Sequence, residues 1–182
     1  LPLAVGYTIF RETGESPSFR QGRKIDLTPW KGPRASFAIE YAIWWDWDIQ
    51  HLYELEHTWT YVGADGSVVY AEASWHGGFG PAVLIDGRVP LQDGHPMVYS
   101  QPGKHAFLPA AEPLFELRDR TALSCTTKAG SGGLLVKDMF AAQLGALKTA
   151  DNDAAVNAYL KAHAFTPASV WDKEFLVTRD ML

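Results

Sequence analysis

The chain holds one cysteine, Cys125, so no disulfide can form within it and its fold must rest on burial and hydrogen bonding. A lone cysteine fits a reducing compartment and equally a secreted protein of this size. There is no excess of basic charge: 16 Lys and Arg stand against 21 Asp and Glu, a net charge of -5. The basic stripe that follows a phosphate backbone is missing, which excludes nucleic acid as an expected partner. No apolar run approaches the eighteen or so residues of a membrane span, so no transmembrane segment is expected. The opening LPLAVGYTIF lacks a basic leader. The expected protein is soluble, either cytoplasmic or secreted with its leader removed. Internal repeats and low-complexity tracts are absent as well.

What the chain does have is apolar and aromatic weight. Hydrophobic residues make up 47% of its 182 positions and seven are Trp, enough to build one well-packed domain and to exclude disorder. The pattern predicts a single domain over 1–182, with a β-sandwich core over 1–135 and a helical extension over 136–182. Short strands are expected near Val5 to Phe10, Ser36 to Trp45, LEHTWTYV, VVYAEASW, Ala82 to Ile85, Pro96 to Ser100, Leu114 to Leu117 and Leu134 to Val136. Asp65-Gly66 marks a hairpin between two of them. After Gly133, Val136, Phe140, Leu144 and Leu147 recur at helical spacing, as do Ala155, Tyr159 and Ala162 after the candidate caps Thr149 and Asp151. Thr166-Pro167 has the form of a third helix start.

One stretch departs from ordinary strand chemistry. YAIWWDWDIQHLYELEH places Asp46, Asp48, His51, Glu54, Glu56 and His57 within twelve residues. Period-two alternation along ELEHTWTYV sends Glu54, Glu56, Thr58 and Thr60 to one face and Leu55, His57, Trp59 and Tyr61 to the other. Two carboxylates on one face repel unless a cation, a shared proton or full solvation relieves them. With Asp46, Asp48 and His51 on a preceding loop, an oxygen and imidazole cage for a divalent ion is within reach. Carboxylates with one His suit Mg²⁺, Mn²⁺ or Ca²⁺, and further His would favour Zn²⁺. The competing assignment makes these acids solvated loop residues, with Glu54 or Glu56 paired with an Arg such as Arg20, Arg23 or Arg88.

Three further His sit beside turns: His76 in SWHGGFG, His95 in DGHPMVYS and His105 in PGKHAF. Pro102-Gly103 fixes a turn that presents Lys104 and His105 together. A lone His is more often structural than functional. Cys125 reads as a buried small residue, and KAGSGGLLV has the glycine content of a phosphate loop without its Lys-Ser/Thr order.

The run QHLYELE resembles the heptapeptide Gly-His-Arg-His-Asp-Trp-Glu of the necrosis- and ethylene-inducing protein family. His51 matches its first His, Glu54 its Asp and Glu56 its Glu, while Tyr53 and Leu55 stand where it has His and Trp. SWHGGF and HPMVYSQPGKHAF are similar to segments of that family and of the vacuolar-sorting-62-like proteins. The resemblance covers roughly Ser36 to Phe107. It implies a β-sandwich with a divalent cation at one end, held by His51, Glu54, Glu56 and an upstream Asp, Asp46 or Asp48. His57, His76, His105 and Lys104 are then expected to line the same cleft as catalytic groups. The function expected is a metal-dependent hydrolase or lyase acting on a carbohydrate or other polar small molecule. The alternative is a non-catalytic, metal-dependent protein that binds a glycan or a lipid headgroup.

Overall fold

Long aromatic and β-branched runs dominate residues 37–75, and they fold as strands because such side chains pack well on a pleated surface. In the computed structural model, which describes residues 2–19 and 22–182, they form the middle of a six-stranded sheet. Strands β1 (Ala4–Phe10), β2 (Phe37–Asp48), β3 (His51–Val62), β4 (Val68–Trp75) and β5 (Gly78–Pro81) lie antiparallel in that order. A two-residue strand, β6 (Gly133–Leu134), pairs parallel with the start of β3. All the long strands belong to this sheet. The other described strands form three two-residue ladders: Gly14–Glu15 with Lys24–Ile25, Leu91–Gln92 with His95–Pro96, and Tyr99–Ser100 with Phe107–Leu108. The observed class is therefore mainly β with a multi-strand antiparallel sheet.

Alternation divides the core between the two faces of the sheet. Ala38, Trp59, Tyr61 and Tyr70 pack on one face with Phe10, Ile25, Leu27 and Ala35. Val5, Ile43, Ala71 and Ala73 pack on the other with Ala82 and Phe107, and Trp45 joins them. The β3–β4 connection is the expected tight hairpin: Gly66 takes a φ of 82°, and its N–H donates to Gly63 O at 3.1 Å. His76 (φ 47°) and Gly77 (φ 77°) form the two-residue turn into β5, a geometry that needs positive φ at both central positions.

Other expectations are corrected. The ligand-rich loop predicted after Trp45 is strand on both sides of a two-residue turn, Ile49 and Gln50. Leu114 to Leu117 is not a strand: helices α1 (Ala111–Glu116) and α2 (Arg118–Cys125) occupy that region, and Leu114 is buried. Pro113 does not prevent this, since it lies in the first turn, where the missing N–H has no intrahelical partner to lose. Ala82 to Ile85 carries no regular structure, and the segment after Thr166-Pro167 carries none until a single 3-10 turn at Arg179–Met181. The helix expected over 136–147 is broken into three- and four-residue turns. Helix α3 (Ala150–Ala162) starts where its cap predicts, with Thr149 accepting from the Asn152 N–H at 3.2 Å. Helical structure thus begins at Ala111 and is interrupted by β6, rather than starting at 136. No helix among the described residues is long and apolar enough to cross a membrane.

Candidate metal centre

The end of the β2–β3 hairpin gathers the chemistry. Asp48 and His51 face each other as the last register pair of the two strands. Strict alternation would put His51 and Glu54, three positions apart, on opposite faces. Tyr53 between them has a φ of 67°, a left-handed conformation that breaks the alternation and brings Glu54 round to His51. The Glu54 Oε2 lies 3.2 Å from His51 Nε2, and Asp48 Oδ2 lies 3.9 Å from it. One ligand atom from each of the three residues lies within 4.8 Å of the others.

The imidazole is oriented by its other nitrogen. His51 Nδ1 is 2.9 Å from the Tyr53 carbonyl, which can only accept, so Nδ1 carries the proton and Nε2 holds a lone pair. Burial lowers the His51 pKa, with Asp48 acting against it. The neutral ring therefore aims a lone pair at two carboxyl groups. Anchoring of the distal nitrogen on a carbonyl is the usual arrangement for a metal-binding His.

Two lysines reach in from loops. Lys104 Nζ forms an ion pair with Asp48 Oδ2, and both side chains are buried. Asp48 Oδ1 is already used, accepting from the Gln50 N–H at 2.7 Å. Lys137, in the irregular stretch after β6, lies 3.7 Å from Glu54 Oε1. Among the arginines weighed as partners, Arg23 pairs with Glu72 and Arg88 with Asp86, while Arg20 lies outside the described residues. The acids of the hairpin end thus pair with lysines that no local spacing points to.

Of the remaining expected ligands, Asp46 is exposed and stands outside the group. Glu56 is buried, but its carboxyl accepts from Ser74 Oγ, which also takes the His57 N–H at 2.6 Å just beyond the β3–β4 ladder. Burial, with the nearby Glu54 charge added, pushes Glu56 up to about 8; Glu54 itself is pushed up to about 7 by burial, against the pull of Lys137.

The expected catalytic groups separate. His105 follows Lys104 in a turn whose two N–H groups both donate to Gln101 O, and its ring stacks on Trp45 at 4.0 Å. Burial pushes its pKa down to about 4. His76, its pKa lowered by burial and by the Lys104 charge, bonds to Gln101 at the start of the turn that carries Lys104, so it belongs to the same end of the molecule. His57 does not join them. Its ring packs against Trp59 and Phe19, on the sheet face opposite Trp45. There Glu40 accepts from Ser18 Oγ at 2.8 Å and from Trp59 Nε1 at 2.7 Å. Ser18, its proton spent on Glu40, accepts from His57 Nε2 at 2.9 Å. His57 is thus part of a buried structural network, with its pKa pushed down to about 3 by burial.

The glycine-rich run offers no anion nest. The N–H groups of Gly130, Ser131, Gly132 and Gly133 donate to Ile49, Lys128, Gln50 and Gly130 carbonyls, and that of Leu134 to Asp153. Instead the run stitches α3 and β6 to the hairpin turn. Cys125 is buried, and burial pushes its thiol up to about 11. No family model matches the chain, and neither a curated protein nor a solved structure matches it.

Proposed function

We propose that Asp48, His51 and Glu54 hold a divalent cation and that the protein is a metal-dependent hydrolase or lyase acting on a polar small molecule. The observation that carries this reading is the His51 ring, whose Nδ1–H is fixed on the Tyr53 carbonyl so that Nε2 points a lone pair at Glu54 from 3.2 Å. A lone pair facing a carboxylate at that distance calls for a proton or a cation between them. Two carboxylates and one imidazole suit Mn²⁺ or Mg²⁺, with Zn²⁺ and Ca²⁺ as competitors. A bound ion would polarise a substrate oxygen or activate water.

The chain's own groups supply the rest. Glu56, whose pKa burial and the Glu54 charge push up to about 8, suits proton donation. His105, kept neutral next to Lys104, can accept a hydrogen bond or a proton. In this reading the Tyr99–Ser100 and Phe107–Leu108 ladder, whose Phe107 packs with Val5 and Ile43, belongs to the second layer of a β-sandwich, and the hairpin end is its metal-bearing rim. The likeness of QHLYELE to the necrosis- and ethylene-inducing heptapeptide is then distant kinship, in which Glu56 has left the ligand set for Ser74.

Isothermal titration of Mn²⁺, Mg²⁺, Ca²⁺ and Zn²⁺ into the chelator-treated protein tests the site. One saturable site is expected, weakened tenfold or more in Asp48→Asn, His51→Ala and Glu54→Gln. Equal affinity in wild type and all three variants would sink the proposal. Turnover of chromogenic glycosides and esters with and without the bound metal then tests the catalytic part. Tight metal binding with no turnover would favour the glycan- or headgroup-binding alternative.

A further inference from the structure

Resting on the cation site just proposed, we infer that its ligand is an oxyanion, a carboxylate or phosphate group that bridges the ion and Lys104. The argument begins with charge. At the hairpin end Asp48 is matched by Lys104 and Glu54 by Lys137, so the two acids and two ammonium groups neutralise one another. A divalent cation shared by Asp48, His51 and Glu54 would leave both lysines in excess.

The two lysines are not equally free to respond. Lys137 belongs to an irregular stretch and its side chain is 31% exposed, so it can turn to water. Lys104 is 8% exposed and is carried by the turn that Gly103 fixes. The Asp48 oxygen that Lys104 holds, Oδ2, is the one facing His51, because Oδ1 is committed to the Gln50 N–H. An ion on that oxygen takes the partner of a buried ammonium group. A buried charge without a partner is strongly unfavourable, and an anion brought by the ligand restores it.

An unpartnered polar atom in the same turn supplies an independent observation. Among the described residues the buried His105 Nδ1 has no hydrogen-bond partner. Buried polar atoms are rarely left so, and one in the turn that carries Lys104 marks a place where something polar docks. His105 in its Nδ1–H tautomer would donate to an anionic oxygen. The lysine gives the site its anion preference, and the imidazole gives it direction.

Titrations of acetate and of methylphosphonate into the full chain, with and without saturating Mn²⁺, test the inference. At least one probe is expected to bind tenfold or more tightly once Mn²⁺ is present, and which one responds tells a carboxylate from a phosphate ligand. By linkage, that probe must raise Mn²⁺ affinity by the same factor, a measurement that needs no variant. Lys104→Met should lose the coupling while still binding Mn²⁺, and Lys104→Arg should keep part of it. Equal probe binding with and without Mn²⁺, or full coupling in a folded Lys104→Met, would overturn the inference and leave the cation site standing. Failure of Mn²⁺ to bind at Asp48, His51 and Glu54 would overturn both.

Discussion

The middle of the sheet and the closed end of the β2–β3 hairpin both bury carboxylates among aromatic rings, yet they are built to opposite purposes. In the middle, Glu40 is met by an indole N–H and a hydroxyl, and Glu72 by the Tyr61 hydroxyl and Arg23. Two of these four donors, Trp59 and Tyr61, lie on the strand next to their acceptor and are fixed by the ladder, and Ser18 and Arg23 come from the connection between β1 and β2. At the end, Asp48 and Glu54 are met by lysines on loops, and His51 offers a lone pair. A density of acidic residues therefore does not mark a site. What distinguishes one is whether the partners can be exchanged without unpacking the sheet.

The sharpest way to break this contrast is to truncate a central aromatic. Trp59 is fully buried and also holds Glu40, so Trp59→Ala should cost about 3–5 kcal/mol or more, measured by urea unfolding. A loss below about 1 kcal/mol would mean the middle is as exchangeable as the end. Next in size is the cation: at about one hundred times its dissociation constant, Mn²⁺ should add about 2.7 kcal/mol to the wild type, and much less to Asp48→Asn. The absence of any rise in melting temperature would count against the end being a binding site.

Gly103→Ala should destabilise by about 1–3 kcal/mol. The backbone there has a φ of 67°, and an added Cβ would lie 2.9 Å from Cys125 Sγ. Since Gly103 O also receives the Ile49 N–H at 2.7 Å, the same change should displace Lys104 and alter metal affinity. Unchanged stability would show that the turn does not position the lysine.

The two regions also respond to pH with opposite signs. His57, held at about 3, stays neutral in the folded protein where the unfolded chain takes up a proton. Its contribution is complete above the unfolded value of about 6.5 and is lost as the pH falls towards the folded one. Glu54 and Glu56, raised to about 7 and about 8, keep their protons longer in the folded state. Their contribution is complete below the unfolded value of about 4.5 and is lost as the pH rises through those folded values. Each group is worth at most about 1.4 kcal/mol per pH unit within its window. Unfolding curves from about pH 3 to 9 should give a dome, and Mn²⁺ should flatten its alkaline side alone. An equal effect on both sides would place the cation elsewhere. The smallest effect belongs to Lys137→Met, below about 1 kcal/mol for a partly exposed pair at 3.7 Å, and a larger loss would make Lys137 part of the frame.

Much of the frame could be read from residue pattern. Asp65-Gly66 announces its own turn, because few residue pairs tolerate that backbone, and Thr149 announces α3 through a hydroxyl with one obvious N–H to accept. The convergence of Asp48, His51 and Glu54 was legible as a density of ligands. Its geometry was not, since it depends on a positive φ at Tyr53, a residue with no intrinsic preference for that conformation. Lys137 was invisible as the partner of Glu54 because only the tertiary fold brings the two together. Helices α1 and α2 were missed since Leu114 and Thr121 bury a narrow face that gives little helical periodicity. The expectation that His57 would line the same cleft followed from the family resemblance, whereas the strand's alternation carries its ring to the face of Trp59 and Phe19.

The stitching of the glycine-rich run to the hairpin turn has a kinetic consequence. Ser131 meets Gln50 across 81 positions, and β6 is a parallel addition to β3 that closes only after the intervening chain has found its place. Contacts of such long sequence separation incur their loop-closure entropy before they return any stability, and they form slowly. The β2–β3 hairpin can pair early from local contacts alone, with His51 and Asp48 already opposed, while Lys137 arrives only with β6. A newly paired hairpin therefore presents its carboxylates before that lysine docks, and on the cation site proposed above an ion available during folding would meet less competition than one offered to the finished protein.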